Sequence, residues 1–230
     1  KLSLANYIIF YEEKHMKVNI IDKPYPSMTI ENFHPSDSMV RAAAESFNDV
    51  MPLDWVKYGG DDGQVQYCSK LGRGNVPTPA LLLLDYIATH CNPDLMMGFD
   101  TKCFPDMSHY GGGMMLTPNK NGDGGYLGMH VDASHHGIHN DWKREFSAIL
   151  CLSEEYDSSF DLRVHNGKEH GTIPYKFNQL NVFKCSDNSW HGLPEITKGM
   201  DRKTLGVMFW SKDKEGKQIK AKFNNNLEFK

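Results

Sequence analysis

Near the middle of the chain lies the segment Gly125-Tyr126-Leu127-Gly128-Met129-His130-Val131-Asp132. A turn-forming run, Asn121-Gly122-Asp123-Gly124-Gly125, leads into it, which is typical of a β-strand entered from a tight turn. Side chains two residues apart on a strand point to the same face. His130 and Asp132 are therefore expected to project together from this strand.

A third side chain can join this pair. His191 lies 59 residues beyond Asp132, within Trp190-His191-Gly192, and reaches the same point if the intervening strands fold back. A lone His-x-Asp pattern is a weak signal in a chain with 11 histidines. Two histidines and one carboxylate on one side of a metal leave three positions open, which suits iron(II) holding a bidentate ligand and oxygen. We therefore predict His130, Asp132 and His191 as metal ligands.

An arginine follows the third candidate ligand and could bind a carboxylate near the metal. Arg202 comes eleven residues after His191 and opens a strand-like run, Arg202-Lys203-Thr204-Leu205-Gly206-Val207. Its guanidinium offers a fixed fork for a carboxylate, and Thr204, on the same strand face, offers a hydroxyl. Lys203 is expected on the opposite face, as a solvated or structural charge.

The bulk numbers favour a single ordinary globular domain. The chain has 230 residues, of which 40% are hydrophobic and 23% charged. A net charge of -4 and a pI near 6.3 argue against a nucleic-acid partner. The longest apolar run near the start, residues 4–11, is far shorter than a membrane helix requires. The five widely spaced cysteines predict reduced thiols and a cytoplasmic protein.

The predicted elements divide the chain into two parts. Residues 28–33 form a strand, a helix with an N-cap in Pro35-Ser36-Asp37 runs through Phe47, and a second helix spans residues 78–90. Beyond residue 100 the predicted strands are 114–117, 126–132, 145–152, 160–164, 180–184 and 204–210. Helices followed by strands predict a mainly β, α+β fold in which the helices back one face of a β-sandwich or barrel.

Within that single domain we assign four segments. Residues 1–15 are a dispensable leader, and residues 16–100 supply the first strand and the supporting helices. Residues 101–210 form the strand core. Residues 211–230, rich in Lys, Asn and Glu, are expected to be a loosely held tail.

At this point the chain resembles the iron(II)- and 2-oxoglutarate-dependent dioxygenases, and within them the prolyl 4-hydroxylase-like branch. The resemblance covers roughly residues 108–210. Four segments carry it, in the family's order and spacing: 125–132, Arg144-Glu145-Phe146-Ser147-Ala148-Ile149-Leu150-Cys151-Leu152, Trp190-His191-Gly192-Leu193-Pro194-Glu195-Ile196, and 202–210.

The resemblance implies a double-stranded β-helix, a jelly-roll or cupin-like barrel. It implies that the enzyme hydroxylates an aliphatic carbon with iron(II), 2-oxoglutarate and O2, releasing succinate and CO2, and that ascorbate is an accessory reductant. His130, Asp132 and His191 become the iron ligands, and Arg202 the partner of the distal 2-oxoglutarate carboxylate. Tyr126 and Thr204 become secondary contacts to the co-substrate. A prolyl residue in a peptide, or a free amino acid, becomes the expected substrate.

Two departures leave the iron site intact but bear on the substrate. Ser158-Ser159-Phe160 replaces a Gly-Gly pair that often follows the central strand, and Cys151 stands where some members carry a co-substrate-binding Tyr. Demethylation of nucleic acid by the same chemistry is a weaker hypothesis, because Met208 stands where that branch often has a second Arg.

Two further classes stay open. A metal-binding, cupin-like hydrolase or sensor would use similar ligands, since zinc leaves a position for water. Arg202 discriminates, because a hydrolase has no need of a buried cation that awaits a dicarboxylate. A binding module that kept the barrel and lost turnover is the third reading.

Other polar residues have plainer interpretations. His135, His136 and His139 follow the metal strand, where a second metal site or a substrate contact competes with the expected polar loop. Arg144 is expected to pair with a carboxylate and so anchor the central strand.

Overall fold

The helices form where capping and apolar patterning predict them. Helix α1 spans Asp37–Glu45, and the Ser36 hydroxyl accepts a hydrogen bond from the Met39 N–H at 3.3 Å. Helix α2 spans Thr78–His90 and carries a proline in its first turn. A short helix that was not predicted, α3, spans Pro93–Met97. The structure is a computed structural model, and it describes residues 16–58, 64–197, 199–213 and 221–224.

Most of the other ordered elements in these ranges are β-strands. They are β1 Lys17–Ile21, β2 Ser27–Glu31, β3 Trp55–Tyr58, β4 Gln64–Ser69, β5 Phe104–Pro105, β6 Gly113–Thr117, β7 Tyr126–Val131, β8 Trp142–Cys151, β9 Leu162–His165, β10 His170–Ile173, β11 Leu180–Lys184, β12 Trp190–Leu193, β13 Arg202–Lys212 and β14 Lys222–Phe223.

The strands pair antiparallel in two sheets that share β4. The larger sheet has the order β1-β2-β11-β8-β13-β6-β4, with β3 paired to β4 and β5 to β13. In the smaller sheet β7 pairs with β4, β12 and β14, and the order continues through β9 to β10. Tyr67 and Cys68 of β4 pair with β6, whereas Gln64 and Val65 pair with β7. This curled, mainly β arrangement confirms the predicted double-stranded β-helix.

The larger sheet separates a hydrophobic core from a polar interior, because successive strand residues face opposite sides. One face packs with α1 and α2 in the largest core cluster, to which the three central strands contribute Phe146, Ala148, Leu150, Leu180, Val182, Leu205, Val207 and Phe209. The intervening positions of the same strands line a cavity on the other face: Ser147, Ile149, Asn181, Phe183, Arg202, Thr204 and Met208. The helices therefore support the sheet from behind and leave the cavity face free for a site.

Some elements differ from the sequence prediction. The strand predicted from residue 160 begins at Leu162, because residues 158–160 form a 3-10 turn in which Asp157 accepts the Ser159 N–H. Strands β1, β3, β4, β5, β10 and β12 are absent from the predicted strands. Part of the expected loose tail is also ordered, as Lys222 and Phe223 pair with β7. The predicted leader, residues 1–15, lies outside the described residues.

All five cysteines are free thiols. Within the ranges that the structure describes, no helix has both the length and the apolar character needed to cross a membrane.

Candidate metal centre and co-substrate pocket

The three predicted metal ligands meet inside the barrel. Strand β12 pairs with β7 so that His191 lies directly opposite His130, and Asp132 follows at the end of β7. Asp132 Oδ1 lies 3.7 Å from His130 Nε2 and 3.8 Å from His191 Nε2. Two atoms that are each bonded to one metal at about 2.1 Å can lie at most about 4.2 Å apart, so both separations are compatible with a shared metal. Among the described residues, this is the group of three or more His, Cys, Asp or Glu side chains placed to hold a metal.

The two imidazoles are oriented for metal binding. His130 Nδ1 lies 3.0 Å from the Gly128 carbonyl oxygen, and His191 Nδ1 lies 3.0 Å from the Ser189 carbonyl oxygen. A ring whose Nδ1–H donates to a carbonyl carries its lone pair on Nε2, the nitrogen that faces Asp132. The donor set therefore fits a divalent metal, and two neutral histidines with one carboxylate are typical of iron(II) sites.

Charges around Asp132 keep its carboxyl ionised. Burial by itself raises the pKa of Asp132, but Arg144, His191 and His130 outweigh burial and hold that pKa well below its usual range. Arg144 Nη1 lies 2.9 Å from Asp132 Oδ2. The prediction that Arg144 pairs with a carboxylate agrees with this contact, and the carboxylate is a metal-ligand candidate.

Acidification is expected to destabilise the metal-free protein through His191. Burial lowers the pKa of His191 from 6.5 to about 4. Between these values the unfolded chain binds a proton at this histidine that the folded chain does not. The contribution of His191 to the free energy of unfolding is therefore fully present above pH 6.5 and is lost as the pH falls towards 4. The loss reaches about 3 kcal/mol. Urea unfolding from pH 7 to 4 measures it, and His191→Asn should give a shallower pH dependence; an unchanged dependence would contradict this assignment.

Arg202 is a buried cation that lines the same cavity as the metal-ligand trio. Its Nε donates to the Phe160 carbonyl oxygen at 3.1 Å, and its guanidinium carbon lies 5.1 Å above the Tyr175 ring. Burial lowers the pKa of Arg202 below its ordinary value. Among the described residues, no carboxylate lies within ion-pair distance of it, although leaving a charge buried and unpaired is costly. Such an arginine is suited to an anionic ligand.

The secondary candidates occupy different places. Thr204 is completely buried and lines the cavity, and its hydroxyl lies 3.5 Å from the Met115 carbonyl oxygen. Tyr126 is half-buried at the far end of β7 and is not among the cavity-lining residues. The structure therefore brings Thr204, but not Tyr126, to the same cavity as Arg202.

One cavity of about 620 Å³ joins the metal-ligand trio to Arg202. Leu127, Ile149, Phe183 and Leu193 are among its apolar lining residues. Its size and its mixture of apolar walls with few polar groups are typical of small-molecule sites. The cavity can therefore hold a dicarboxylate that touches both Arg202 and a metal.

Sequence reasoning missed several residues of this site. Ser147 and Asn181 are polar residues within apolar strands, and that interruption could have marked them. Phe223 had no such signal. Its ring stacks on His130 with centroids 5.1 Å apart, so residues of the expected tail cover one side of the metal centre.

The remaining charged and histidine side chains have structural roles. Lys203 Nζ donates to the Ala44 carbonyl oxygen at 2.9 Å, which fastens β13 to α1. His136 is fully buried, with Nε2 3.3 Å from Asp106 Oδ2, whereas His139 is exposed and stacks on Trp142. The loop after β7 is thus anchored through His136 and is less solvated than expected.

Comparison with known proteins agrees with this geometry. Residues 114–212 match the family model of the 2OG-Fe(II) oxygenase superfamily. No curated protein sequence matches the chain.

Solved structures share the fold at low identity. A prolyl-4-hydroxylase from Pseudomonas putida aligns with TM-score 0.55 and 18% identity over 81% of this chain and 92% of that one. A prolyl hydroxylase from Trichoplax adhaerens, in complex with a hypoxia inducible factor peptide fragment, aligns with TM-score 0.53 and 14% identity. The alignment covers 80% of this chain and 83% of that one. The epimerase SnoN, in complex with Fe3+, alpha-ketoglutarate and nogalamycin RO, aligns with TM-score 0.52 and 11% identity. The alignment covers 87% of this chain and 82% of that one.

The fold and the matched segment agree with each other. Residues 114–212 carry the fold and sequence pattern of the 2OG-Fe(II) oxygenase superfamily, and the resemblance predicted from the sequence is confirmed at that level.

Proposed function

We propose that this protein is an iron(II)- and 2-oxoglutarate-dependent dioxygenase that hydroxylates an aliphatic carbon. The observation that carries the proposal is Arg202. It is a buried cation without a carboxylate partner among the described residues, and it shares one cavity with the metal-ligand trio. A dicarboxylate that also chelates a metal would compensate this charge, whereas a hydrolase has no need of it.

Each residue then has a defined task. His130, Asp132 and His191 would hold iron(II), and Arg202 would bind the distal carboxylate of 2-oxoglutarate, with Thr204 beside it. When bound, iron(II) would supply the redox chemistry that couples decarboxylation of 2-oxoglutarate to succinate with oxidation of a C–H bond by O2. Ascorbate as an accessory reductant belongs to the same proposal, whereas a contact from Tyr126 does not, because Tyr126 does not line the cavity.

The chain's own side chains would also control the surroundings of the reaction. Phe223 covers one side of His130, while Phe183 contacts His191 with ring centroids 4.6 Å apart. These rings and the apolar lining would restrict the access of water to the metal-ligand trio, which would strengthen its electrostatic interactions and limit side reactions.

For the substrate we propose a prolyl residue in a peptide or a free amino acid. Two of the structurally similar proteins are prolyl hydroxylases, one of them in complex with a peptide fragment. The similarity to an epimerase makes a substrate screen necessary. A cytoplasmic protein without a nucleic-acid partner is part of this proposal, in keeping with the net charge of -4.

Anaerobic titration with iron(II) and then 2-oxoglutarate tests the function directly. We expect the weak visible charge-transfer band of a chelated 2-oxo acid, followed by succinate formation when O2 and a substrate are admitted. Titration with Zn(II) in place of iron(II) gives the control without the band. Bound iron(II) that gives no band with 2-oxoglutarate would favour the hydrolase or sensor instead.

A further inference from the structure

The two oxygens of Asp132 have different surroundings. Oδ2 accepts from Arg144 Nη1 at 2.9 Å and from the Ser147 hydroxyl at 3.0 Å. Oδ1 faces the two imidazoles at 3.7 and 3.8 Å. Arg144 and Ser147 thus hold one oxygen of the carboxylate, with the Cys185 thiol more distant at 4.0 Å. The other oxygen faces the two candidate histidine ligands.

A β-bulge brings the two donors to the same side of β8. Phe146 pairs with Phe209 and Arg144 with Trp210, so one residue of β8 is extra and the register shifts there. Without that shift, Arg144 would share the face of Phe146, which packs in the helix-backed core. Because the bulge inserts Glu145, Arg144 turns to the cavity face that carries Ser147.

Arg144 is also closely packed by its neighbours. It is 5% exposed, and its guanidinium carbon lies 5.0 Å above the ring of the fully buried Trp210. Gly111 also approaches closely, with φ +70, and a Cβ there would lie 2.4 Å from Arg144 Nη2. The absence of a side chain at Gly111 therefore makes room for the guanidinium.

We propose that Arg144 and Ser147 are positioning residues that make Asp132 a one-oxygen ligand, with Gly111 required for the placement of Arg144. The inference rests on the proposed function. If Asp132 could turn and offer both oxygens, it would occupy a second metal position. The site needs three open positions for a bidentate co-substrate and oxygen, so holding Oδ2 keeps one of them available.

Co(II) binding to the full chain tests the proposal, because the intensity of its visible bands reports coordination number. Ser147→Ala changes no charge and therefore isolates the positioning effect. We expect a roughly 10-fold weaker Co(II) affinity and altered band intensity, in the range that outer contacts to metal ligands usually show. Gly111→Ala is expected to weaken Co(II) binding in the same way, because the added methyl group displaces Arg144. Gly111 is not itself one of the hydrogen-bond donors to Asp132.

Two arginine variants separate orientation from charge. Arg144→Lys keeps the charge but loses the planar fork, so it is expected to recover affinity only in part. Arg144→Met removes a cation near a dication site, and a purely electrostatic role would raise the Co(II) affinity. Lys168→Met, which removes a cation from an exposed position after β9, is the control and should leave affinity and spectrum unchanged.

The outcomes are distinct. Folded Ser147→Ala and Arg144→Met proteins, verified by circular dichroism, that bind Co(II) with wild-type affinity and spectrum would overturn the positioning role. The wild-type iron(II) and 2-oxoglutarate band tests the proposed function in parallel. If the variants bind Co(II) more weakly but the wild type gives no band with iron(II) and 2-oxoglutarate, the positioning role stands. The assignment as an oxygenase is then wrong.

Discussion

Replacing Asp132 with alanine is expected to abolish 2-oxoglutarate turnover and to weaken metal binding by more than about 100-fold, because the trio loses its only anionic ligand. The change also leaves Arg144 buried without its partner. Breaking such a pair costs about 3–5 kcal/mol of folding free energy. Metal titration, succinate assays and urea unfolding of the metal-free protein measure the three effects.

The double variant Asp132→Ala with Arg144→Met separates stability from function. With both charges removed, much of the folding free energy is expected to return, while metal binding stays lost. Asp141→Ala, which removes an exposed carboxylate paired with Lys212, is the surface control and should retain wild-type turnover. Turnover in the Asp132→Ala variant would refute the assignment of Asp132.

The second large effect is expected at Arg202. Arg202→Met removes the charge but retains apolar packing above Tyr175, and we expect about 100-fold weaker binding of 2-oxoglutarate with metal affinity unchanged. Calorimetry of 2-oxoglutarate binding to the Mn(II)-loaded, anaerobic protein measures the loss.

Stability distinguishes a ligand-binding arginine from a structural one. The variant loses one hydrogen bond to Phe160, worth about 1 kcal/mol, but also relieves an unpaired buried charge. The ligand-free variant is therefore expected to unfold within about 1 kcal/mol of the wild type. Arg163→Met, on β9, is the matched control with normal 2-oxoglutarate affinity. Normal affinity in Arg202→Met would show that the co-substrate binds elsewhere.

The helices and central strands could be predicted because their signals are local. Ser36 caps α1, proline opens α2, and β11 was predicted with its observed bounds. Strands β1, β3, β4 and β10 each form a hairpin with a neighbouring strand. They are short segments that bury few apolar side chains, and β-strand formation depends more on such packing than on local sequence.

The metal ligands could be predicted for a similar reason. His130 and Asp132 are two residues apart, and His191 and Arg202 follow with characteristic spacing. The surrounding contacts were less accessible to sequence reasoning. The bulge at Glu145, which turns Arg144 towards Asp132, is a property of the pairing between β8 and β13. Approach of Phe223 to His130 likewise depends on the return of a distant segment.

That returning segment has a consequence for how the site can diversify. Strand β14 supplies none of the proposed metal ligands and pairs with β7 through only two residues, yet its Phe223 forms a wall beside His130. The ligands and one boundary of the cavity are thus carried by separate parts of the chain. Sequence change at Phe223, through evolution or engineering, can reshape the cavity next to the metal while leaving the ligand-bearing strands intact.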